Sequence, residues 1–327
     1  MKFEPRGKGH RRYPEKELLS IATWLTMTIW TPVFPQEASC SDLLPDFDYT
    51  QVGYAQGKIA VPYLERKATL YFPEGRHSID SLIRLSDGDV IRGAGIDKTI
   101  LYFSKGLKGL GEECGHQGVD CYDWSNGVIR AQGKEIGIED LTIEFPQHDW
   151  CHYCGKENQG YNGVSLLACE NCWVTNVSVR NCDSGIFVEG GSKNVTIEGV
   201  EIRVNEHLKS HLHIAVSGRT SNVLVRDFKV FGSTFHGLTA NWGSGSSVFS
   251  NGWGDSLRIE PDHNCNGKAG PDTCCPNIMY TNIRGNIESI QTHDRSDNTL
   301  PAIIWNVGEQ TRCPVDAYQA QMRQTKH

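Results

Sequence analysis

The sequence predicts an all-β protein that folds as a parallel β-helix, a solenoid of stacked coils. One apolar template recurs along the chain, and successive copies start about 23 to 36 residues apart, with one gap of about 55. Alternation at spacing two indicates strands, and the break in the middle of each copy indicates a bend. The copies are Ile136, Ile138, Leu141, Ile143; Cys172, Val174, Val177, Val179; Val195, Ile197, Val200, Ile202; Val223, Val225, Phe228, Val230; and a weaker one from Ile278.

Composition agrees with this fold class. The 327 residues include 34 glycines, which suits an all-β chain with many tight turns, and a solenoid of this length forms one domain. A β-sandwich with coincidental spacing is the alternative. The net charge is -7, and beyond the first sixteen residues the lysines and arginines are scattered, so we expect no nucleic-acid partner.

The N-terminus predicts secretion. A basic opening is followed by an uncharged apolar run from Leu18 to Phe34 and by small residues up to Cys40. We interpret residues 1–40 as a signal peptide, with a signal anchor or a misplaced start as alternatives. Pro32 and several threonines make the run marginal as a bilayer span, so we expect no membrane span after processing.

Residues 41–308 then form the predicted β-helix domain. A polar approach segment ends at Leu64, the first strands lie in 69–79 and 83–103, and two long loops occupy 104–127 and 146–162. Regular coils resume at Tyr161. Residues 309–327 are predicted to be a C-terminal tail.

Several segments carry a resemblance to a known superfamily. YFPEGRHSI, VIRGAGIDKTILYF, IGIEDLTIEF, SNVLVRDFKV and SVFSNGWGDSL resemble secreted proteins of the pectate-lyase-like superfamily. The resemblance covers most of 46–308 and implies a single-stranded right-handed parallel β-helix. It also implies action on an acidic extracellular polysaccharide. The superfamily's GAxGDGxxDDTxAIQxA segment is missing before the YFPxG strand.

The register of the coils predicts which side chains face outward together. A short strand precedes each template copy, and stacking Val164, Ile186, Ile214, Leu238 and Leu257 inside places their neighbours outside. The predicted outward set is His211, His213, Ser217, Thr239, Asn241, Arg258, Glu260 and Asp262. His236 and Asp255 are predicted at equivalent positions of adjacent coils beside this face.

This polar set contains the groups that uronate chemistry needs. β-Elimination requires a base for the α-proton, an acid for the leaving oxygen and a partner for the sugar carboxylate. We predict His213 or His236 as the base and Arg258 as the carboxylate partner. Asp255, Glu260 and Asp262 form a possible calcium site by analogy with pectate lyases. His211, Asn241, Glu260 and His263 are predicted to bind substrate. A solvated surface strand is the structural alternative.

Two other functions remain open at this point. A glycoside hydrolase would use Asp255 as acid with Asp262 or Glu260 as base, and RIE at 258–260 is similar to the RIK stretch of polygalacturonases. The paired aspartates of that family are absent, so elimination or C5 epimerisation is favoured. A non-catalytic glycan-binding or structural β-helix is the third possibility. Asn264 favours it, because related DHHR-type loops carry a second histidine there.

Twelve cysteines and two sequons complete the predictions. Cys151, Cys154, Cys169 and Cys172 have a spacing close to that of a zinc ribbon, but apparent secretion favours disulfides among the cysteines. The remaining cysteines near the long loops, at 114, 121, 265, 274, 275 and 313, are expected to form disulfides too. Asn176 and Asn194 are predicted N-glycosylation sites. We expect a secreted monomer whose partner is a polysaccharide.

Overall fold

The computed structural model describes residues 52–53, 70–113, 126–151, 158–204, 210–263, 277–291 and 303–308. All of these belong to one unit, Ser39–His327. The predicted signal segment 1–40 and the tail 309–327 lie outside the described residues. Within the described part the chain contains strands and no helix, so nothing there has the length and apolarity of a membrane-crossing helix.

Nineteen strands occur in the described residues, and every registered pair of strands is parallel. In chain order they are β1 Leu70–Tyr71, β2 Gly75–Ile79, β3 Ile83–Leu85, β4 Val90–Arg92, β5 Thr99–Phe103, β6 Ile129–Ala131, β7 Gly137–Glu144, β8 Asn162–Leu167, β9 Glu170–Cys182, β10 Ser184–Glu189, β11 Lys193–Glu198, β12 Glu201–Val204, β13 Ser210–Val216, β14 Ser221–Arg226, β15 Lys229–Phe231, β16 Thr234–Asn241, β17 Gly245–His263, β18 Ile278–Ile290 and β19 Ile303–Val307. The predicted parallel β-helix is confirmed.

The pairings divide each coil into three faces. The front sheet stacks β3, β6, β8, β10, β13, β16 and the end of β17. The second sheet contains β4, β11, β14 and the first parts of β7, β9 and β17. The third sheet contains β2, β5, β12, β15 and the following parts of the same long strands. Because the long strands continue round the corner, hydrogen bonds join all three faces.

The inward-facing side chains of the three sheets stack in columns along the solenoid, and these columns together form the core. The apolar template forms two of them: Ile138, Val174, Ile197 and Val225 are stacked and fully buried on the second sheet. On the third sheet Val179, Ile202 and Val230 are stacked in the same way. Each coil therefore buries its apolar face against its neighbours, as a solenoid requires.

An asparagine ladder, Asn171, Asn194 and Asn222, stabilises the turn into the second sheet. The Asn194 Nδ2 donates to Asn171 Oδ1 at 3.0 Å, and Asn222 Nδ2 donates to Asn194 Oδ1 at 3.1 Å. All three residues have φ between 54° and 59°, in the left-handed region that asparagine tolerates better than most residues. The turn therefore favours asparagine in these three coils, whereas Glu135 and Ser246 adopt the same left-handed conformation in the coils on either side.

Candidate functional site

The outer face of the front sheet holds the candidate site. Its central outward column runs through seven coils: Arg84, Arg130, Ser165, Phe187, Ala215, Thr239 and Glu260. The inward column beside it is Ile83, Ile129, Val164, Ile186, Ile214, Leu238 and Ile259. In the last of these coils Leu257 was predicted to face inward next to Leu238. The register places Ile259 at that position instead, and both Leu257 and Ile259 are buried. Thr239 and Glu260 are outward neighbours, as predicted.

His236 and Glu260 form the chemically distinctive pair on this face. The His236 Nδ1 lies 2.6 Å from Glu260 Oε2, and Thr239 Oγ1 donates to the same oxygen at 3.3 Å. An ionised carboxylate only accepts, so Nδ1 carries the proton. In neutral His236 the lone pair is then on Nε2, the nitrogen that can act as a base.

His211 extends this pair toward the previous coil. Its ring centroid is 5.2 Å from that of His236 in an edge-on arrangement, and its Nδ1 is 3.3 Å from Ser184 Oγ. The Trp150 ring also lies near His211, with ring centroids 6.3 Å apart. His211 is 1% exposed and His236 is 7% exposed, so His236 is the more accessible imidazole.

Arg258 lies at the corner of the coil, because the pairing of Leu238 with Ile259 aligns it with Gly237 and His213, so its predicted place in the outward column is wrong. Its side chain is partly exposed. Its Nη1 donates to the Phe235 carbonyl at 2.6 Å and its Nε to Ser289 Oγ at 3.4 Å. The guanidinium is 5.6 Å from the centroid of the Phe235 ring, which itself contacts His236 edge-on at 4.8 Å. These contacts fix the guanidinium and leave Nη2 with no partner shown among the described residues.

The predicted outward position of His213 is wrong. His213 is fully buried, at the register position where adjacent coils have Gly185 and Gly237. A Cβ at Gly185 would lie 2.8 Å from Ile202 Cγ2 of the third sheet, so this position points into the corner of the coil. Alternation fails at a corner, because the chain bends there and consecutive side chains both point inward.

The environment of His213 also removes it as a base. Its Nδ1 lies 3.5 Å from Thr234 Oγ1, and its Nε2 is buried without a hydrogen-bond partner in the described structure. Burial lowers the pKa of His213 to about 4, and hydrogen bonds to the Phe231 and Gly232 backbone oppose that shift only in part. His213 is a neutral core residue.

The predicted equivalence of His236 and Asp255 is also wrong. Pairing of Leu238 with Ile259 aligns His236 with Leu257, two residues beyond Asp255. The strand is irregular just before Leu257, and this irregularity shifts the register. Asp255 is exposed, and its Oδ1 accepts a hydrogen bond from the Gly232 amide at 2.8 Å.

The other predicted site residues have different outcomes. Asn241 lies on the outer face, 1% exposed, and its Oδ1 has no hydrogen-bond partner in the described residues. The side chains of Asp262 and His263 lie outside the described part, so the calcium site and its third ligand stay predictions. No group of three or more His, Cys, Asp or Glu side chains that could hold a metal occurs in the described ranges.

Sequence reasoning missed a second polar pair on this face. Asp183, just before β10, is 2% exposed; its Oδ1 is 2.6 Å from His148 Nε2, and its Oδ2 accepts from the Tyr161 amide at 2.9 Å. Burial lowers the pKa of His148, but the hydrogen bond and charge of Asp183 outweigh it, so the pKa is raised. The DSGIF stretch and the histidine in the second long loop were the available signals.

Glu189 is the second missed titratable residue of the outer face. It is half-buried at the end of β10, next to Leu167 of the previous coil in the register. Burial raises the pKa of this carboxyl to about 6. It lies three coils before Glu260.

The cysteines divide into two groups. Cys169, Cys172 and Cys182 are buried free thiols, so the predicted disulfide or zinc role of Cys169 and Cys172 is wrong. Their Sγ atoms face backbone oxygens inside the coils; Cys169 Sγ, for example, is 3.2 Å from Ala131 O. Cys151 is disulfide-bonded. The other eight cysteines lie outside the described residues.

Both predicted glycosylation sites lie in side-chain ladders. The Asn194 Nδ2 donates within the asparagine ladder, and Asn176 Nδ2 donates to Asp140 Oδ1 at 2.6 Å. A glycan bonds to this same nitrogen and would compete with the ladder for space. Glycosylation of Asn176 and Asn194 stays a prediction.

Comparison with known proteins supports the fold. No family model and no curated protein matches the chain. Among solved structures, a polygalacturonase from Erwinia carotovora ssp. carotovora is 13% identical with a TM-score of 0.51, over 73% of this chain and 67% of that one.

Two other solved structures are similar over longer stretches. The A-module of a mannuronan C-5 epimerase from Azotobacter vinelandii is 13% identical with a TM-score of 0.46, over 82% of this chain and 78% of its own. A pectin methylesterase from Erwinia chrysanthemi is 12% identical with a TM-score of 0.46, over 82% and 90%. The parallel register of three stacked faces and the similarity to the polygalacturonase together show that the chain has the right-handed parallel β-helix fold.

Proposed function

We propose that the protein is a secreted enzyme that acts on an acidic polysaccharide by abstracting the C5 proton of a uronate residue, leading to β-elimination or C5 epimerisation. The observation that carries the proposal is the pair of His236 and Glu260, 2.6 Å apart on the outer face of the stack. The polygalacturonase that shares this fold is named for a polyuronate substrate, so the fold is compatible with this class.

His236 is the base in this proposal. Glu260 holds the Nδ1 proton and stabilises the imidazolium that forms when Nε2 takes the C5 proton. Arg258 pairs with the sugar carboxylate, because its Nη2 is available and neutralising that carboxylate makes the α-proton more acidic. The electron pair left at C5 is delocalised into the carboxylate.

The same intermediate leads to either product. In elimination the electron pair forms the C4–C5 double bond and the O4 glycosidic oxygen leaves with a proton from His211 in its protonated form. In epimerisation a proton from solvent returns to C5 from the opposite face. His211 lies one coil from His236, so the elimination route has a second proton carrier beside the first.

Hydrolysis by a carboxylate pair receives less support. Inverting glycosidases hold their carboxyl groups about 6.5 to 9.5 Å apart. Asp183 and Glu189 belong to the β10 coil, three coils from Glu260, which is about 14 Å along the stack. Asp183 is in addition bound to His148 and Tyr161.

The test is incubation of the purified protein with alginate, pectate, glucuronan and glycosaminoglycans. We expect ultraviolet-absorbing unsaturated ends for elimination, or incorporation of solvent deuterium at C5 for epimerisation. New reducing ends without absorbance would replace the proposal with hydrolysis. Retention of a polymer without reaction would replace it with binding alone.

A further inference from the structure

A cavity of about 290 Å³ lies on the outer face of the front sheet, in the coils that precede the candidate site. Its walls come from three successive strands, β3, β6 and β8, and include two arginines and two serines. Arg84, Arg130 and Ser165 line the cavity. Arg84, Arg130 and Ser165 belong to the outward column that ends at Glu260, so this cavity and the candidate site share one face.

Two guanidinium groups border the cavity, and the Asp89 carboxylate accepts hydrogen bonds from its lining residue Ser86. Arg84 Nη2 and Arg130 Nη1 donate to the two oxygens of Glu112, at 2.7 and 2.8 Å, so two guanidinium groups share one carboxylate and the trio carries a net charge of +1. Arg130 Nε donates to the Gly127 carbonyl at 3.1 Å. The Nη2 of Arg130 has no partner shown among the described residues. These contacts hold the Arg130 guanidinium in place and leave its Nη2 to donate to a ligand.

Ser165 supplies an independent sign of a ligand. Its side chain is fully buried, lines the cavity, and its Oγ has no hydrogen-bond partner in the described structure. A buried polar group without a partner costs roughly 1 to 3 kcal/mol, so such groups are normally satisfied. A ligand hydroxyl or carboxylate in the cavity would satisfy it.

We propose that this cavity is a distal subsite that binds the carboxylate and a hydroxyl of one uronate residue in the same polysaccharide chain that passes His236; this proposal rests on the proposed function. The volume corresponds to roughly ten water molecules, enough for one hexuronate ring. Arg130 lies four coils before Thr239, about 19 Å along the stack. A pyranose residue extends a chain by about one coil spacing, so the subsite is about four sugar residues from the reacting one.

The experiment uses the full chain with His236→Ala, so that binding is measured without turnover. Calorimetric titrations compare oligouronates of three and eight residues, prepared from the polymer that the wild type prefers in binding or turnover. We expect Arg130→Gln to reduce the ratio of octamer to trimer affinity roughly tenfold, and Arg84→Gln or Ser165→Ala to reduce it several-fold. A trimer is too short to reach both places. Arg203→Gln, on the third sheet, is the matched control.

The outcomes separate this subsite from the proposed function. An unchanged affinity ratio in Arg84→Gln, Arg130→Gln and Ser165→Ala would overturn the subsite and leave the His236 reaction standing. Equal losses for trimer and octamer, with a lower melting temperature, would mean that Arg130 only holds the loop of Glu112, which also overturns it. Absence of any oligouronate binding by the wild type would overturn both proposals.

Discussion

The asparagine ladder and the outer face of the front sheet are built by the same coils but follow opposite rules. In the ladder, Asn171, Asn194 and Asn222 repeat one residue at one register position. The central outward column of the front sheet holds six residue types in seven coils, from Arg84 to Glu260. Repetition marks positions that the backbone dictates, whereas variation marks positions that are free to carry chemistry.

The largest effect is expected where the front sheet departs from repetition. His236→Ala removes the base and should lower the rate of elimination or epimerisation about 10³-fold, and Glu260→Gln about 10²-fold because the Nδ1 proton and the imidazolium lose their partner. The readout is the initial rate of unsaturated-end formation or C5 exchange, with circular dichroism as the control for folding. Full activity in both folded variants would show that the chemistry lies elsewhere.

A second contrast is between two histidines of one strand, His211 on the outer face and His213 inside the corner. The pKa of His213 is about 4 in the folded protein and about 6.5 in the unfolded chain. Between pH 4 and pH 6.5, therefore, only the unfolded chain binds a proton at this residue. The neutral state of His213 therefore contributes its full stabilisation above pH 6.5. As the pH falls from 6.5 to 4 the free energy of unfolding decreases by roughly 3 kcal/mol in total, and below pH 4 this contribution no longer changes.

Urea unfolding of the wild type and of His213→Gln across this pH range measures that contribution. The difference in unfolding free energy between the two proteins should change between pH 6.5 and 4 and be constant on either side. The same measurement on His211→Gln is the comparison, since that ring has contacts on the outer face. A constant difference for His213→Gln would mean that His213 is not buried as a neutral side chain.

The third prediction concerns the ladder itself. Asn194→Ala removes both of its ladder hydrogen bonds and places alanine at φ 54°, so the free energy of unfolding should fall by about 2 to 3 kcal/mol. Asn194→Gly relieves the backbone cost while the hydrogen bonds stay lost, so its loss should be smaller by about 1 kcal/mol. Chemical denaturation measures both variants, and their kcat should equal that of the wild type. Equal losses would show that backbone conformation does not select asparagine there.

The same distinction explains how far the sequence predicted the molecule. The fold was predictable because apolar spacing within each coil is local and repeats. The placement of His236 and Glu260 on neighbouring coils followed from that stacking, whereas Arg258 was misplaced because the register of β17 differs by two residues from the predicted one. His213 failed at a corner, where alternation ends, and Asp255 failed at an irregularity of β17. Asp183 and Trp150 could not be placed, because the second loop folds back onto the face through contacts that have no period.

The smallest effect is expected on the outer face of the third sheet, which is polar but follows the ordinary pattern of a solvated strand. Arg203 pairs with Glu201 at 2.8 Å and lies 3.7 Å from the centroid of Phe231, next to Trp253. Exposed ion pairs and cation–π contacts contribute about 1 kcal/mol or less each, so Arg203→Gln should destabilise the protein by no more than about 1 kcal/mol and leave kcat and KM unchanged. Denaturation and steady-state kinetics test both expectations together. A raised KM with normal stability would mean that substrate also contacts the third sheet, and residue variation along the front sheet would then no longer be enough to locate the polysaccharide.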